Sequence, residues 1–123
     1  GNDLLGGGSG AATINGGGGA DTLWGGLGAD TFIYNGAFQS LPSDADLIED
    51  FTQGLDLFDM RGLGNNTSFV GSSGFTAGGD TEIGFFQFGG RTTVIVDVDG
   101  NGSTDLRITL ADLVTLNEND FLF

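Results

Sequence analysis

The side chains best suited to bind a metal lie at the start of the chain, where glycine and aspartate recur every nine residues. Copies of the pattern Gly-Gly-x-Gly-x-Asp-x-apolar-x follow one another at 7–15, 16–24 and 25–33, and Gly1–Gly6 is the back half of an earlier copy. Glycine at these positions lets the backbone adopt positive φ angles and turn sharply, which leaves carbonyl oxygens uncovered. Each copy therefore predicts a turn that offers carbonyl and carboxylate oxygens, followed by a short strand with one inward apolar side chain.

Oxygen atoms of these two kinds favour calcium over other metals. Calcium takes six to eight oxygen ligands in flexible geometry, whereas magnesium demands a strict octahedron and retains its waters. A flexible glycine linker is the alternative interpretation. A linker would not require an apolar residue at one fixed position of every copy, which is where Leu5, Ile14, Leu23 and Phe32 stand. The repeat therefore predicts Ca²⁺ as the bound ion.

The period also predicts which turns meet. We expect two nonapeptides to complete one coil, so that turns eighteen residues apart stack on each other. The Asp3 turn should then lie over the Asp21 turn, and the Ala12 turn over the Asp30 turn. Because Ala12 stands where the pattern requires aspartate, we expect the site between the Ala12 and Asp30 turns to be weaker or empty.

The predicted ligands are the backbone carbonyls and the carboxylates of these turns. Two later carboxylates, Asp46 and Asp50, could close the last metal site below the Asp30 turn, or they could belong to a solvated strand face. The complete predicted metal set is Gly1, Asp3, Gly7, Ser9, Gly16, Gly17, Gly18, Gly19, Asp21, Gly25, Gly26, Gly28, Asp30, Asp46 and Asp50.

A second acidic motif lies near the C-terminus. The spacing Asp97-x-Asp99-x-Asn101-Gly102-x-x-Asp105 matches the front of an EF-hand loop. The twelfth position of such a loop requires a bidentate glutamate, and Ile108 stands there. The motif is also typical of a tight hairpin turn whose aspartate side chains accept hydrogen bonds from the local backbone. Both interpretations remain open from the sequence.

Net charge narrows the classes of partner. The chain has 123 residues, of which 17 are acidic and 3 are arginine or lysine, and its net charge is −14. Nucleic-acid binding requires a basic surface, and anionic membranes repel an acidic one. No apolar run reaches the length of a transmembrane segment. We therefore expect cations as partners, no nucleic acid and no membrane insertion.

Catalysis is not expected from these residues. Because histidine, cysteine and lysine are absent, the chain cannot form a Ser-His-Asp triad, a thiol nucleophile or a Schiff base. Carboxylate pairs of the glycosidase type remain possible, but among 17 acidic residues some pairs will be close by chance. We predict no catalytic residues and no organic cofactor. The lack of disulfides makes metal the expected stabiliser of a small fold.

The remaining chain predicts an all-β cap on the repeats. We expect two regions, calcium-binding repeats at 1–34 and a β-rich C-terminal cap at 35–123. The predicted elements are a last coil strand at 31–34, strands at 46–51 and 55–60 joined by a turn at 52–54, a long loop at 61–79 with one short strand at Phe69-Val70, a hairpin of strands 82–88 and 92–98, a strand at 105–110, and a turn or single helical turn at 111–119.

Several of these segments together resemble the C-terminal domain of serralysin-type secreted metalloproteases, which carries the calcium-binding nonapeptide of RTX proteins. They are the nonapeptides with Ala29-Asp30-Thr31-Phe32-Ile33-Tyr34, the segments 45–51 and 54–60, and the segment 92–102. The resemblance implies a right-handed parallel β-roll, with calcium in its turns, that runs into an antiparallel sheet. It brings no peptidase activity, because the zinc-binding helix of the protease is absent.

The same resemblance implies a route of export. Proteins of this kind leave Gram-negative bacteria through type I secretion machinery, without a cleaved N-terminal signal. Their uncleaved C-terminal signal ends in an acidic residue plus hydrophobic residues, which Asp120, Phe121, Leu122 and Phe123 match. Because the chain starts within a repeat and without Met, we expect it to be the C-terminal piece of a parent with an N-terminal catalytic or adhesive domain.

The sequence as a whole predicts a non-catalytic module that folds on calcium binding and directs secretion of a larger extracellular protein. The alternative is a module that binds an acidic polysaccharide such as alginate for a neighbouring epimerase or lyase. Such a polymer would need calcium or an arginine patch as a bridge, and only Arg61, Arg91 and Arg107 are available. A repeat of a surface adhesin is a third possibility.

Overall fold

The structure is a computed structural model that describes residues 1–64 and 66–123. Within these residues the regular elements are β-strands and two single-turn 3₁₀ helices, Ala37–Gln39 and Glu118–Asp120. The chain is therefore all-β, as predicted. The strands are β1 Leu4–Gly6, β2 Thr13–Ile14, β3 Thr22–Trp24, β4 Thr31–Ile33, β5 Asp46–Ile48, β6 Leu57–Asp59, β7 Ser68–Gly71, β8 Glu82–Phe88, β9 Arg91–Asp97, β10 Leu106–Leu110 and β11 Phe121–Leu122.

The first six strands form a parallel β-roll. Strands β1, β3 and β5 lie side by side in one sheet, and β2, β4 and β6 lie side by side in a second sheet. Leu4 pairs with Thr22, and Thr13 pairs with Thr31, so residues eighteen apart are neighbours in both sheets. This register confirms that two nonapeptides complete one coil.

Apolar side chains from the eighth position of each repeat fill the interior of the roll. Ile14, Leu23 and Phe32 are buried, and Ile48 of β5 and Phe58 of β6 continue the same rows. The rings of Phe32 and Phe58 lie 6.2 Å apart. Because each turn is followed by one apolar residue that is buried or, at Leu5, partly buried against the core, packing holds the turns on either side of the roll at fixed spacing.

Three longer strands extend the larger sheet and make it antiparallel. Strand β9 pairs antiparallel with β8 and with β10, and β10 joins the roll by pairing parallel with β5. The predicted hairpin turn is present at Gly89 and Gly90, whose φ angles are 62° and 79°. The predicted short strand in the long loop is β7, which pairs with β8. Asn65, within that loop, lies outside the described residues.

The two strands predicted at 46–51 and 55–60 are present, but both are shorter than predicted. Strand β5 pairs with β3 in the larger sheet, and β6 pairs with β4 in the smaller sheet. The parallel coil thus continues through both of them to Asp59. The division of the chain into regions 1–34 and 35–123 stays a prediction.

The C-terminus packs against the smaller sheet. Strand β11 pairs parallel with β6, and Phe121 is buried with its ring 5.3 Å from that of Phe58. Asp120 accepts a hydrogen bond from the backbone N–H of Asn117 at 2.8 Å and is also buried. Across the described parts of the chain, no helix is long and apolar enough to cross a membrane.

Candidate metal centre

The glycine turns stack in two columns, one on each edge of the roll. In the first column the backbone N–H of Asp3 donates to Asp21 Oδ1 at 2.8 Å, and the N–H of Ala20 donates to Asn2 Oδ1 at 2.9 Å. In the second column the N–H of Ala12 donates to Asp30 Oδ1 at 2.9 Å. Each turn is therefore fixed to the turn eighteen residues away, with the carboxylate of the later turn between them.

Asp21 and Asp30 each keep one carboxylate oxygen without a partner. Both side chains are 1% exposed. Among the described residues, neither Asp21 Oδ2 nor Asp30 Oδ2 has a hydrogen-bond donor. Burial of an unpaired carboxylate oxygen costs several kcal/mol, and buried polar groups are satisfied in the great majority of proteins. A cation next to each oxygen would remove this penalty.

The first glycine of each repeat makes room for these carboxylates. A Cβ atom at Gly16 would lie 2.5 Å from Asp21 Oδ2, and a Cβ atom at Gly25 would collide with Asp30 Oδ2. A larger residue would therefore push the carboxylate out of its own turn. The pocket inside each turn accepts the oxygen only because the backbone there carries no side chain.

Two later carboxylates continue the columns. Asp46 Oδ1 accepts from the backbone N–H of Asp21, and Asp56 Oδ1 accepts from the N–H of Asp30, both at 2.9 Å. In contrast to Asp21 and Asp30, both of these carboxylates also have a hydrogen-bond donor to the second oxygen, Oδ2. Tyr34 Oη donates to Asp46 Oδ2 at 2.9 Å, and the N–H of Thr52 donates to Asp56 Oδ2 at 2.8 Å.

Burial raises the pKa values of Asp46, Asp56 and Tyr34. Desolvation raises the pKa of Asp46 to about 6, against the lowering effect of hydrogen bonds from Asp21 and Tyr34. Desolvation also raises the pKa of Asp56, although the N–H groups of Thr52 and Asp30 stabilise its charge. Burial, followed by the charge of Asp46, raises the pKa of the Tyr34 hydroxyl well above its ordinary value. Negative charge is therefore energetically costly at the last carboxylate of each column, Asp46 or Asp56.

The structure separates Asp46 from Asp50, which the sequence analysis placed together below the Asp30 turn. Asp50 lies at that turn, where its two oxygens accept from the N–H groups of Gly25 and Gly26, both at 2.8 Å. Asp46 lies in the other column, below Asp21. Asp46 therefore does not lie below the Asp30 turn. With seven residues inserted after Ile33, β5 is the first strand after β4 and pairs with β3, so Asp46 follows Asp21 in its column. Direct binding of metal by Asp46 or Asp50 stays a prediction.

Asp56 is a member of the columns that the sequence analysis missed. The segment Gly54-Leu55-Asp56-Leu57-Phe58 keeps the glycine, aspartate and apolar residue of positions four, six and eight of the repeat. Phe51 and Thr52 replace the first two glycines, so the copy was not recognised.

The remaining predicted ligands occupy the turns as expected from their spacing. Gly19 and Gly28, at the fourth position of their repeats, have φ angles of 111° and 108°. The structure brings the predicted set together as stacked turns, but their role as metal ligands stays a prediction. The members of this set are Gly1, Asp3, Gly7, Ser9, Gly16, Gly17, Gly18, Gly19, Gly25, Gly26 and Gly28 with Asp21 and Asp30.

The EF-hand-like motif forms the turn between β9 and β10. Carboxylate oxygens of Asp97, Asp99 and Asp105 lie within 4.8 Å of one another. Asp97 accepts from the N–H groups of Gly100 at 2.9 Å and Gly102 at 2.7 Å. These contacts are those of a hairpin turn stabilised by its own side chains, and the cluster also has the composition of a cation site.

The fold and the turns together define a β-roll domain of nonapeptide repeats with oxygen-lined turns. The chain belongs to the family described as Peptidase M10 serralysin C terminal, whose model matches residues 6–123. The resemblance drawn from the sequence is thereby confirmed, and with it the parallel β-roll.

Known relatives and structures agree with this family. Metallopeptidase AprA of Pseudomonas marginalis is 37% identical over 79 residues, which is 63% of this chain and 17% of that protein. The chain thus spans about a sixth of the length of that relative. The AlgE6R3 subunit of the Azotobacter vinelandii mannuronan C5-epimerase is 28% identical, with a TM-score of 0.63 over 98% of this chain and 67% of that one. The AlgE6R2 subunit of the same epimerase, 24% identical with a TM-score of 0.61 over 99% and 88%, supports the fold alone.

Proposed function

We propose that this domain is a non-catalytic module that folds on binding calcium and accompanies a larger secreted protein. The observation that carries the proposal is the pair of buried, unpaired oxygens, Asp21 Oδ2 and Asp30 Oδ2. The turns that hold these aspartates are built of glycine and aspartate, which supply backbone carbonyls and carboxylates, the ligands that calcium prefers. Nitrogen and sulfur ligands are not supplied by a chain without histidine or cysteine.

Calcium binding would decide whether the roll folds. Without the ion, two buried carboxylate oxygens are uncompensated, and ordering glycine-rich turns costs more backbone entropy than ordering other residues. Extracellular calcium modules have dissociation constants of roughly 10⁻⁴ to 10⁻³ M. A site at a hundredfold excess of ligand adds about 2.7 kcal/mol to the folded state. Two such sites would add about 5 kcal/mol, which is comparable to the whole stability of a small domain.

Folding that depends on calcium is compatible with secretion of the chain in an unfolded state. A chain that stays loose at low calcium is suited to pass through a type I secretion channel, and it would fold in the calcium-rich medium outside. The tail Asp120–Phe123 would serve as the uncleaved signal. The catalytic or adhesive activity would reside in another part of the parent protein, of which relatives such as AprA have several times the length of this chain.

Thermal unfolding in calcium and in chelator tests the proposal. We expect the melting temperature of the domain to fall by more than 10 °C, or the domain to unfold, when EDTA replaces calcium. Magnesium at the same concentration is the control and should restore little of the loss. An unchanged melting curve in EDTA would count against calcium-dependent folding.

A second candidate function is supported by one surface. Two of the three arginines, Arg91 and Arg107, lie on the outer face of the antiparallel strands with Phe86 and Phe88. The Arg107 guanidinium carbon lies 6.0 Å from the centre of the Phe86 ring. Cations beside exposed aromatic rings suit a sugar polymer with carboxylate groups, and the AlgE6R3 subunit comes from an enzyme that acts on such a polymer, mannuronan.

Titration with alginate oligomers separates the two candidates. Binding that is lost in the double variant Arg91→Ala/Arg107→Ala, at an unchanged melting temperature, would favour the polysaccharide module. Arg61→Ala is the matched control, because Arg61 is paired at 2.8 Å with Asp59, which belongs to β6 in the smaller sheet. Binding that needs calcium but neither arginine would point to a calcium bridge instead.

A further inference from the structure

The four stacked carboxylates share one contact and differ in the other. In Asp21, Asp30, Asp46 and Asp56 the Oδ1 atom accepts the backbone N–H of the residue one coil earlier. The Oδ2 atoms of Asp21 and Asp30 have no donor among the described residues. The Oδ2 atoms of Asp46 and Asp56 do have one, and these two are the last carboxylates of their columns.

We propose that the Tyr34 hydroxyl and the Thr52 backbone N–H end the two metal columns. Each of these two groups donates a hydrogen bond to the second oxygen of the last carboxylate in its column. In the preceding carboxylate of the same column, a cation would interact with that oxygen instead. The Tyr34 hydroxyl occupies Asp46 Oδ2, and the Thr52 N–H occupies Asp56 Oδ2. Asp46 and Asp56 are then positioning residues, and metal binding by the described turns stops at Asp21 and Asp30. This inference rests on the calcium binding proposed above.

The backbone of the two end residues supports the assignment. In the columns, the N–H of each turn aspartate points to the carboxylate of the next coil. The N–H of Asp46 instead donates to Ser40 Oγ at 2.9 Å, and the Ser40 hydroxyl donates to the carbonyl of Arg107. The N–H of Asp56 donates to the carbonyl of Thr52 in its own turn, at 2.8 Å. Neither end residue offers its N–H to a further carboxylate.

The ends of the columns coincide with the ends of the roll. Strand β10 pairs with β5 at Asp46, and β11 pairs with β6 just after Asp56, so the next strand in each sheet belongs to the cap. Tyr34 is 1% exposed and lies directly after β4. A buried hydrogen-bond donor at this point satisfies the last carboxylate without an ion. A strand of the cap, which does not belong to the nonapeptide repeat, can therefore pack beside the last strand of the roll.

Counting bound calcium in two matched variants tests the inference. Equilibrium dialysis of the 123-residue chain should show that Asp21→Asn loses one calcium. Asp46→Asn should lose none, because the asparagine oxygen can still accept from Asp21 and its amide can donate to the Tyr34 oxygen. Loss of one calcium in Asp46→Asn would overturn the inference. An unchanged count in Asp21→Asn would instead overturn the proposed function.

The Tyr34→Phe variant supplies the second measurement. It removes the hydroxyl and keeps the ring, so Asp46 Oδ2 loses its donor. We expect a lower melting temperature at every calcium concentration from limiting to saturating, with the calcium count unchanged. A lower count, or a deficit in melting temperature that disappears at saturating calcium, would show that Tyr34 acts through the metal and would overturn the inference.

Discussion

Asp21 and Asp30 are distinguished from the other buried carboxylates by a single atom each. Asp97 has both carboxylate oxygens in hydrogen bonds from its own turn, and Asp46 has both in bonds from Asp21 and Tyr34. A carboxylate with two donors is stable without metal, whereas one with a bare buried oxygen is not. The number of hydrogen-bond donors, more than the presence of aspartate, therefore indicates which carboxylates would gain from a bound cation.

Removing either bare oxygen should weaken the calcium-loaded state. We expect Asp21→Asn and Asp30→Asn each to lower the free energy of unfolding at saturating calcium by about 2–3 kcal/mol, the contribution of one site at a hundredfold excess of ion. Chemical denaturation in excess calcium measures this. Asp44→Asn is the control, because Asp44 is an exposed acid outside the columns. Equal losses in all three variants would show that the effect is not specific to the two bare oxygens and would contradict their assignment as metal ligands.

Restoring the missing aspartate should strengthen the weaker column. Ala12 occupies the sixth position of its repeat, and its N–H donates to Asp30 Oδ1. We expect Ala12→Asp to raise calcium affinity about tenfold, or about 1.4 kcal/mol, because calcium affinity rises with the number of charged ligands. Isothermal titration calorimetry would detect the change. Because Gly7 carries no side chain, it leaves space beside Ala12 for the new carboxylate, as Gly16 does beside Asp21. A drop in affinity would contradict the assignment of this column as a calcium site.

Glycine meets two requirements of each turn, a positive φ angle and close approach of the stacked turn. A pair of variants separates these two requirements. Gly17 and Gly26 occupy the same position of successive repeats, with φ angles of 77° and 87°. A Cβ at Gly17 would meet nothing within 4 Å, whereas a Cβ at Gly26 would collide with the Gly8 carbonyl of the stacked turn. Gly17→Ala should cost about 1–3 kcal/mol from backbone strain alone. Gly26→Ala should cost distinctly more.

Denaturant unfolding at saturating calcium compares these two glycine variants. Because their backbone angles are similar, the difference between them reports the stacking of one turn on another. Equal costs would indicate that the turns do not pack in contact in solution.

The columns could be predicted from sequence as far as the period holds. Asp3 and Asp21 are eighteen residues apart, and so are Ala12 and Asp30, which a fixed nine-residue repeat requires. The next partners are 25 and 26 residues apart, because seven residues inserted after β4, and one more between Asp46 and Asp56, break the period. A pattern read at constant spacing loses its phase at that insertion, which explains why one of the two interpretations of Asp46 set it below the Asp30 turn instead of the Asp21 turn.

The end of the columns could not be predicted for a different reason. The donor to Asp46 is Tyr34, twelve residues earlier, and the donor to Asp56 is a backbone N–H. A backbone donor carries no signal in the sequence, and a tyrosine after an apolar strand is typical of any core. The strands of the antiparallel cap were predicted well, because their alternation and the Gly89-Gly90 turn are local signals.

At the level of the whole molecule, the proposed secretion tail is part of the core. Phe121 is 5% exposed and stacks on Phe58, whereas Phe123 is 45% exposed. Phe121→Ala should lower the free energy of unfolding by about 3–5 kcal/mol, the usual cost of emptying a buried phenylalanine site. Phe123→Ala, the matched control, should cost less than about 1.5 kcal/mol.

Thermal and chemical unfolding of both tail variants would be compared with their export from cells. Export that fails in Phe123→Ala but not in Phe121→Ala would show that the signal is read from the chain and not from the fold. Equal destabilisation by the two substitutions would contradict the packing of the tail described here.

The net charge of −14 also bears on the stability of the whole chain. Self-repulsion of this size disfavours a compact state, and the described residues contain a single ion pair, Asp59 with Arg61. Bound divalent cations would offset charge where it is most concentrated, between the stacked turns. The folded state is therefore expected to depend on the ion more strongly than a neutral domain of this size would.

A crystal structure of the domain grown in millimolar calcium tests the central claim most directly. The columns predict an ion within about 2.3–2.6 Å of Asp21 Oδ2 and another within the same distance of Asp30 Oδ2, each also held by turn carbonyls. They predict that Asp46 Oδ2 keeps the Tyr34 hydroxyl as its partner. Well-ordered turns in which both aspartate oxygens have no ion beside them would contradict calcium-dependent folding of this domain.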